Sequence, residues 1–515
     1  MMLQIRNLKI IHRKDLRILL EDFSVTLNDG DKAVIIGEEG NGKSTLLKWI
    51  YDPELIESYA EAEGERITGR ERLAYLPQEL PPADAGKTLH AFFSEEPAFL
   101  EKNPRELSRL ALDFHTDIDF FYREQTLESL SGGEKIKAQL MRLLMCEPTV
   151  LLLDEPSNDL DIETLEFLEE FICAQKHIVL YISHDETLIE NTANMIIHLE
   201  QVMKKQKSRY TVVHDTYENY MKYRADQFER QVQQAQSDLR QKRIRDEKYR
   251  RIMQSVEHAQ AVITRQDPHT AANLKKKMHA VKSMGRRFEK EDANMTRKPE
   301  QEEAIFFTLG DQDSEIPAGK TVCEFKLDIL MTPDGKRQLS RDITLHVHGP
   351  EKVCITGLNG CGKTTLLKQI AEELQERPDL RVEYMPQNYE DLLDLDQTPA
   401  EYLSRTGDKE EITRIRTHLG SLKYTTEEME HPIRELSGGQ KAKVFLLKMS
   451  LSKANVLILD EPTRNFSPLS GPVIRRMLSS FPDAVISVSH DRKYISEVCT
   501  KTYVLTENGL KSDLD

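Results

Sequence analysis

Two short segments of this chain have the residue types and spacing of a phosphate cradle. Gly37-Glu38-Glu39-Gly40-Asn41-Gly42-Lys43-Ser44-Thr45 and Gly357-Leu358-Asn359-Gly360-Cys361-Gly362-Lys363-Thr364-Thr365 both fit G-x-x-x-x-G-K-[ST]. Glycines free the backbone to wrap its N–H groups around phosphate oxygens, and the helix that follows points its positive end at them. Lys43 and Lys363 would neutralise the β- and γ-phosphates of ATP, and the Ser44 and Thr364 hydroxyls would ligate Mg²⁺. Asp154 and Asp460 each close a continuous apolar run, the place from which a carboxylate beside a P-loop holds Mg²⁺. Glu155 and Glu461 come next and can orient or deprotonate an attacking water, with His184 and His490 following a second strand. An isolated Asp or Glu at such a place is as readily a cap or a surface residue; the pairing, present twice, favours catalysis.

The duplication extends beyond these words. Leu130-Ser131-Gly132-Gly133-Glu134 recurs as Leu436-Ser437-Gly438-Gly439-Gln440. Ser131 to Asp154 and Ser437 to Asp460 are each 23 residues, and Asp154 to His184 and Asp460 to His490 are each 30. A period of this kind means one fold used twice. Each half predicts α/β structure: a short apolar strand, a glycine turn, a helix, and fully buried strands of a parallel sheet before Asp154 and Asp460. Residues 78–131 and 387–437 read as mostly helical inserts, a smaller subdomain in each half.

At 515 residues the chain suits two or three domains. No stretch approaches the roughly 18 apolar residues of a membrane span, and the start of the chain lacks a signal-peptide pattern. Cys146, Cys173, Cys323, Cys354, Cys361 and Cys499 form no CxxC pair and read as scattered thiols. These features predict a soluble, cytoplasmic protein. The net charge is -16, yet residues 201–300 hold 24 Lys plus Arg against 13 Asp plus Glu, while the remainder holds 47 against 74. A basic segment between acidic bodies is an electrostatic footprint for nucleic acid.

That segment predicts a helical hairpin over about 216–293. Tyr217, Met221, Phe228, Val232, Leu239, Tyr249, Ile252, Val256 and Ile263 make one apolar seam, and Leu274, Met278, Val281 and Phe288 a second, with a turn over 266–270. The first arm would span about 70 Å. Candidate RNA contacts are Lys242, Arg243, Arg245, Arg265, His269, Lys275, Lys276 and Lys277; the alternative is a solvated basic face. The implied domains are 1–205, a 206–300 linker and 301–515.

The LSGGE and LSGGQ loops resemble the signature of the ATP-binding-cassette family. That resemblance implies two α/β P-loop domains that pack head to tail, the Ser-Gly-Gly of each closing over the γ-phosphate held by the other. Site one would then join Gln78, Lys43, Ser44, Thr45, Asp154, Glu155 and His184 to Ser437, Gly438 and Gly439. Site two would join Gln387, Lys363, Thr364, Thr365, Asp460, Glu461 and His490 to Ser131, Gly132 and Gly133, with Gln78 and Gln387 as further Mg²⁺ ligands. Two departures stand out: Ser467 replaces the Asp that matches Asp161, which implies unequal sites, and neither half shows an obvious aromatic residue upstream of its P-loop to stack adenine, His12 being a weak candidate.

Two cassettes, no membrane span and a charged helical linker resemble the ABC-F family. This implies an ATPase acting as a monomer, its cassettes paired within one chain, at the E site of the bacterial 70S ribosome, with the linker reaching rRNA, P-site tRNA and the peptidyl-transferase centre. With no large insert between Gln78 and Ser131, the chain is similar to the group that protects ribosomes from lincosamides, streptogramin A and pleuromutilins. A general translation factor of the same family, the ATPase subunit of a membrane transporter, and a chromosome or repair ATPase are the competing readings. A recycling cassette protein with iron–sulfur clusters is disfavoured by the absence of an N-terminal cysteine cluster.

Overall fold

The apolar runs that end at Asp154 and Asp460 form the second strands of two matching six-stranded sheets. The first sheet runs Leu73–Leu76, Val150–Asp154, Ile178–Ile182, Lys32–Ile36, Met195–Val202, Lys207–Val213. The second runs Val382–Met385, Val456–Asp460, Ala484–Val488, Lys352–Thr356, Lys501–Thr506, Gly509–Ser512. In each, five strands are parallel and the last is antiparallel. Three adjacent strands of each sheet are buried along their whole length, which is why they read as largely apolar runs rather than alternating. This computed structural model describes the chain except residues 1, 203–206, 263–267, 294, 297–308, 310–315, 423 and 513–515.

Antiparallel strands cover one face of each sheet: Met2–His12 between Ile18–Asn28 and Ala60–Ile67 in the first cassette, and Thr321–Met331 with Gln338–His348 in the second. The inserts expected to be helical are so, with Pro104–Asp113 and Lys409–Ser421 their longest helices. Among the described residues no helix is long and apolar enough to cross a membrane. One boundary is corrected. Strand Lys207–Val213 pairs with Met195–Val202, so the first cassette continues past residue 205. The rise in basic residues that marked the linker begins on this half-exposed edge strand, where charge costs little.

The described chain divides into two compact units, Met1–Tyr217 with Glu302–Asp515, and Glu218–Gln301. Within the first, the cassettes meet across a seam of ion pairs. Arg475 grips both oxygens of Glu186 (2.7 and 3.1 Å) and also reaches Glu497 at 2.8 Å. Arg492 pairs with Glu169, and Lys493 with Glu186 and Glu190. Glu169 and Glu186 precede Arg475 and Arg492 by the same 306 residues that separate Asp154 from Asp460. The seam is therefore pseudo-symmetric in position and antisymmetric in charge, acidic on the first cassette and basic on the second.

In the second unit, helix Tyr217–Val262 runs about 70 Å at 1.5 Å per residue and helix Pro268–Ala293 forms the other arm. Val256 and Val281 are buried, Tyr249 meets the Phe288 ring edge-on at 5.8 Å, and the Arg245 guanidinium lies 4.6 Å from the Phe288 centroid. The seam is narrower than expected. Leu239 and Ile252 are exposed, because they lie toward the two edges of the stripe once Tyr249 and Val256 face the partner arm. Ile263, Arg265 and residues 266–267 of the expected turn lie outside the described residues, as does the side chain of His269.

Arg475 and Glu186 are almost fully buried, so removing one partner strands the other charge. Arg475→Met should cost about 3–5 kcal/mol in denaturant unfolding that reports cassette docking, and Arg475→Met with Glu186→Met should recover most of it. Equal losses in the single and double variants would show that the pair contributes nothing specific.

Candidate functional site

Each P-loop is shaped by glycines that no other residue could replace at the same geometry. Gly42 and Gly362 sit at φ 87° and 102° as left-handed N-caps, and a Cβ on Gly37 or Gly357 would approach the Leu199 or Leu505 carbonyl oxygen to 2.3 or 2.7 Å. The helices Lys43–Tyr51 and Lys363–Gln375 start there, with no carboxylate in their first turns to oppose an anion. Lys43 Nζ donates to the Gly37 and Glu38 carbonyls, and Lys363 Nζ to those of Gly357 and Leu358. Burial lowers the Lys43 pKa.

Ser44 Oγ donates to Asp154 Oδ1 at 2.9 Å, and the Tyr75 hydroxyl donates to Oδ2 at 3.0 Å. Burial raises the pKa of Asp154 and Asp460. Asp460 is 1% exposed and neither of its oxygens has a hydrogen-bond partner; Thr364 and then Lys363 act against the effect of burial on its charge. A buried carboxylate with open lone pairs beside a hydroxyl fits a hard divalent cation. Among the described residues no cluster of three His, Cys, Asp or Glu side chains could hold a metal unaided, so phosphate oxygens would complete the shell of Mg²⁺.

Glu155 and Glu461 both adopt left-handed backbone, φ 50° and 52°, at the ends of their strands. Such strain in a non-glycine residue concentrates at reactive sites. His184 Nε2 lies 3.0 Å from Glu155 Oε1, while its Nδ1 bonds the Phe466 carbonyl of the other cassette at 2.8 Å. In the second half, His490 Nε2 is 3.9 Å from Glu461 Oε1, and the Glu461 carboxyl accepts the His490 backbone N–H at 3.3 Å. Burial, then the neighbouring Asp460, pushes Glu461 up to about 8; burial, then Lys363, pushes His490 down to about 4.

The joint is head to tail. A cavity of about 840 Å³ is walled by Asn359, Gly360, Gly362, Lys363, Thr364, Thr365, Gln387, Asp460, Glu461 and His490 from the second cassette and by Gly132 and Asp159 from the first. Gln78 and His184, assigned to site one by sequence, border it too, because it runs on along the joint. At site one, Gly439 N–H donates to Glu39 Oε2 at 2.8 Å. Ser131 and Ser437 cap helices Gly132–Met145 and Gly438–Ser452 in capping boxes with Glu134 and Gln440. Gly133 is buried against Thr164, whose side chain leaves no room for a Cβ.

His12 is tied to Asp15 by a 2.8 Å hydrogen bond. Its neighbour Arg17 reaches the P-loop instead, donating to the Gly40 carbonyl at 3.2 Å. Where sequence offered no adenine-stacking ring, Thr332, Pro333 and Leu339 of the second antiparallel pair wall the cavity. Sequence reasoning also missed Glu39, Asn359, Asp159, Arg464 and Tyr75. The Arg464–Asp159 pair (2.7 Å) and the Asn359 amide donating to the Asp159 carbonyl are contacts between distant segments, with no local pattern to announce them.

The hairpin cations divide into two groups. Lys242 pairs with Asp292 at 2.9 Å, and Arg245 with Asp292, Glu291 and Asp246, so both clamp the arms rather than face solvent as expected for RNA contacts. Acidic residues near the end of the second arm claim them. Arg243, Lys275, Lys276 and Lys277 are exposed, as are Lys248, Arg250, Lys282 and Arg286.

Two P-loop sheets whose signature helices face each other's phosphate loops define a tandem-cassette ATPase. The family described as "ABC transporter" matches residues 20–158 and 340–464. "Ribosome protection protein VmlR" of Bacillus subtilis is 30% identical over 508 residues, covering 96% of this chain and 85% of that protein. "ATP-binding protein Uup" of Escherichia coli is 28% identical, covering 95% and 78%. An archaeal ribosome recycling factor, aABCE1, solved in complex with the stalk protein aP1, shares the fold at TM-score 0.57 and 16% identity, covering 98% of this chain and 90% of that one. The chain belongs to the ABC-F family of ATP-binding-cassette ATPases.

The unequal histidines give an expected outcome. His184 contacts both Glu155 and the opposite cassette, so His184→Ala should lower steady-state ATPase kcat by about 10- to 100-fold, the loss of a buried charge-assisted hydrogen bond or two. His490→Ala should cost less, its glutamate contact being longer. Equal effects would remove the distinction.

Proposed function

We propose that this ABC-F ATPase binds the bacterial 70S ribosome at its E site when ATP has closed the joint, and that the hairpin reaches toward P-site tRNA and the peptidyl-transferase centre, protecting the ribosome from antibiotics. The observation that carries the reading is the hairpin's exposed row Lys275-Lys276-Lys277, with Arg243, Lys248 and Arg250 on the other arm, in a chain otherwise net acidic. Cations without carboxylate partners bind phosphate by releasing counterions, and their attraction does not depend on base sequence. The ribosome protection named for the 30% identical relative, and the 96% coverage of this chain by that match, support the assignment.

In the cassettes, Lys43 and Lys363 neutralise phosphate, and Ser44, Asp154 and Gln78, or Thr364, Asp460 and Gln387, are the residues to hold Mg²⁺. When bound, the cation would supply positive charge against the negative charge that develops on the phosphate. Glu155 and Glu461 take the role of general base or water-orienting residue, and His184 and His490 hold them in place. The Ser131-Gly132-Gly133 and Ser437-Gly438-Gly439 loops present helix N-termini to the terminal phosphate of the opposite site. ATP then favours the closed form through contacts that only that form completes, and hydrolysis removes them. Both halves being in one chain, the protein acts as a monomer.

Glu155→Gln with Glu461→Gln keeps the shape of the site and removes both bases. In ATP this variant should co-sediment with 70S ribosomes at a level well above the parent protein. Adding Lys275→Ala, Lys276→Ala and Lys277→Ala should weaken retention, with a shallower dependence on log salt concentration by about 2–3. The parent should relieve lincosamide or pleuromutilin inhibition of cell-free translation. Sedimentation without relief would leave a general translation factor; absence from ribosomes would overturn the proposal, and capture on a transmembrane partner would favour a transporter subunit.

A further inference from the structure

Equivalent positions of the two P-loops have opposite hydrogen-bonding character. Asn359 is a donor: its side-chain amide donates to the Asp159 carbonyl, and its backbone N–H to Asp161 Oδ2 at 3.4 Å, both across the joint. Glu39 holds the same place in the first P-loop and its carboxylate can only accept. It accepts the Gly439 N–H at 2.8 Å. A Cβ built on Gly438 would lie 3.4 Å from Glu39 Oε1, and one on Gly439 3.4 Å from Oε2, so this carboxylate covers the glycine pair of the second signature loop.

The loop facing each position has changed in step. Asp161 faces Asn359, and its pseudo-symmetric counterpart is Ser467, whose hydroxyl sits 3.2 Å from that of Ser470. At site two the carboxylate belongs to the loop after Glu155 and the donor to the P-loop; at site one the carboxylate belongs to the P-loop and the opposing acid is gone. An aspartate at 467 would set two carboxylates against each other at one joint, a pairing that cannot keep both ionised cheaply.

Resting on the composite-site reading above, we propose that Glu39 is a specificity-determining residue that makes site one discriminate against a terminal phosphate: its carboxylate holds the signature amide that the γ-phosphate of ATP would use. ATP entering site one must displace Glu39 or share an anion-binding helix end with it, whereas ADP, one phosphate shorter, meets less of this opposition. Site two, with Asn359 and no carboxylate on its P-loop, carries no such handicap. The two sites therefore differ in ATP-over-ADP preference, and site two is the one ATP closes more readily.

Each site is read alone by disabling the other P-loop lysine and titrating mant-ATP and mant-ADP to equilibrium. In Lys363→Ala, adding Glu39→Asn should tighten mant-ATP about tenfold, the worth of one charge-assisted hydrogen bond no longer opposed, and mant-ADP by clearly less. The mirror substitution transfers the handicap: in Lys43→Ala, Asn359→Glu should weaken mant-ATP about tenfold and mant-ADP less. Ser467→Asp in Lys363→Ala should weaken mant-ATP, and Glu39→Asn should relieve that loss. Unchanged mant-ATP affinity on Glu39→Asn, or equal changes for both nucleotides, would overturn the proposal. Undiminished nucleotide binding in Lys43→Ala with Lys363→Ala would instead overturn the P-loop reading beneath it.

Discussion

The structure depends on one constraint: a helix N-terminus carries unsatisfied N–H groups and a partial positive charge, and an anion must come from somewhere to meet it. In each cassette the signature helix, Gly132–Met145 or Gly438–Ser452, presents that end not to its own P-loop but to the joint. Capping boxes within each cassette meet part of that end, and the Gly439 N–H finds its acceptor, Glu39, only on the other cassette. In the proposed closed form, the anion that meets these ends from the opposite side is the terminal phosphate of a nucleotide, which would make nucleotide a component of the interface. ATP chemistry and cassette closure are on this account the same interaction viewed from two sides.

Holding the halves in the correct relation is a separate task, done by charge. Glu169 and Glu186 on the first cassette meet Arg492 and Arg475 on the second at positions related by the internal repeat. Pairing two first cassettes, from two copies of the chain, would place Glu169 against the buried Glu186. Uncompensated buried charge is costly, so the seam favours first-with-second pairing over like-with-like. The same logic separates the hairpin's cations: Lys242 and Arg245 are consumed in holding the arms together, while Lys275, Lys276 and Lys277 are among those left exposed.

Much of this was legible in the sequence because its physics is local. A P-loop needs glycines at fixed places for its left-handed turns, and a strand buried on both faces must be continuously apolar, so residues 37–45, 357–365, 150–154 and 456–460 announced themselves. The hairpin's two arms followed from periodicity and the proline at 268. What was not legible joins segments far apart in the chain. Glu39 looked like any variable P-loop residue until Gly439, 400 residues away, was found to donate to it. Arg475 and Glu186 carry no signal, since nothing in their neighbours foretells a buried partner. The edge strand Lys207–Val213 was missed for the opposite reason: its composition belongs to the linker and its hydrogen bonds to the sheet.

Reciprocity ties the joint to its target. If closure is the ribosome-binding state, then whatever factor by which ATP tightens the ribosome, the ribosome tightens ATP by the same factor. That coupling arises only from contacts that differ between open and closed forms. A site whose signature amide is already met by Glu39 gains less on ATP-driven closure than one whose amides await phosphate. The larger share of the coupling then belongs to site two, where the Lys363 loop, Asp460 and Gly132 meet around the cavity. At site one the halves are already joined without nucleotide, by the His184–Phe466 contact and, two residues further along the chain, by the buried pair of Glu186 with Arg475.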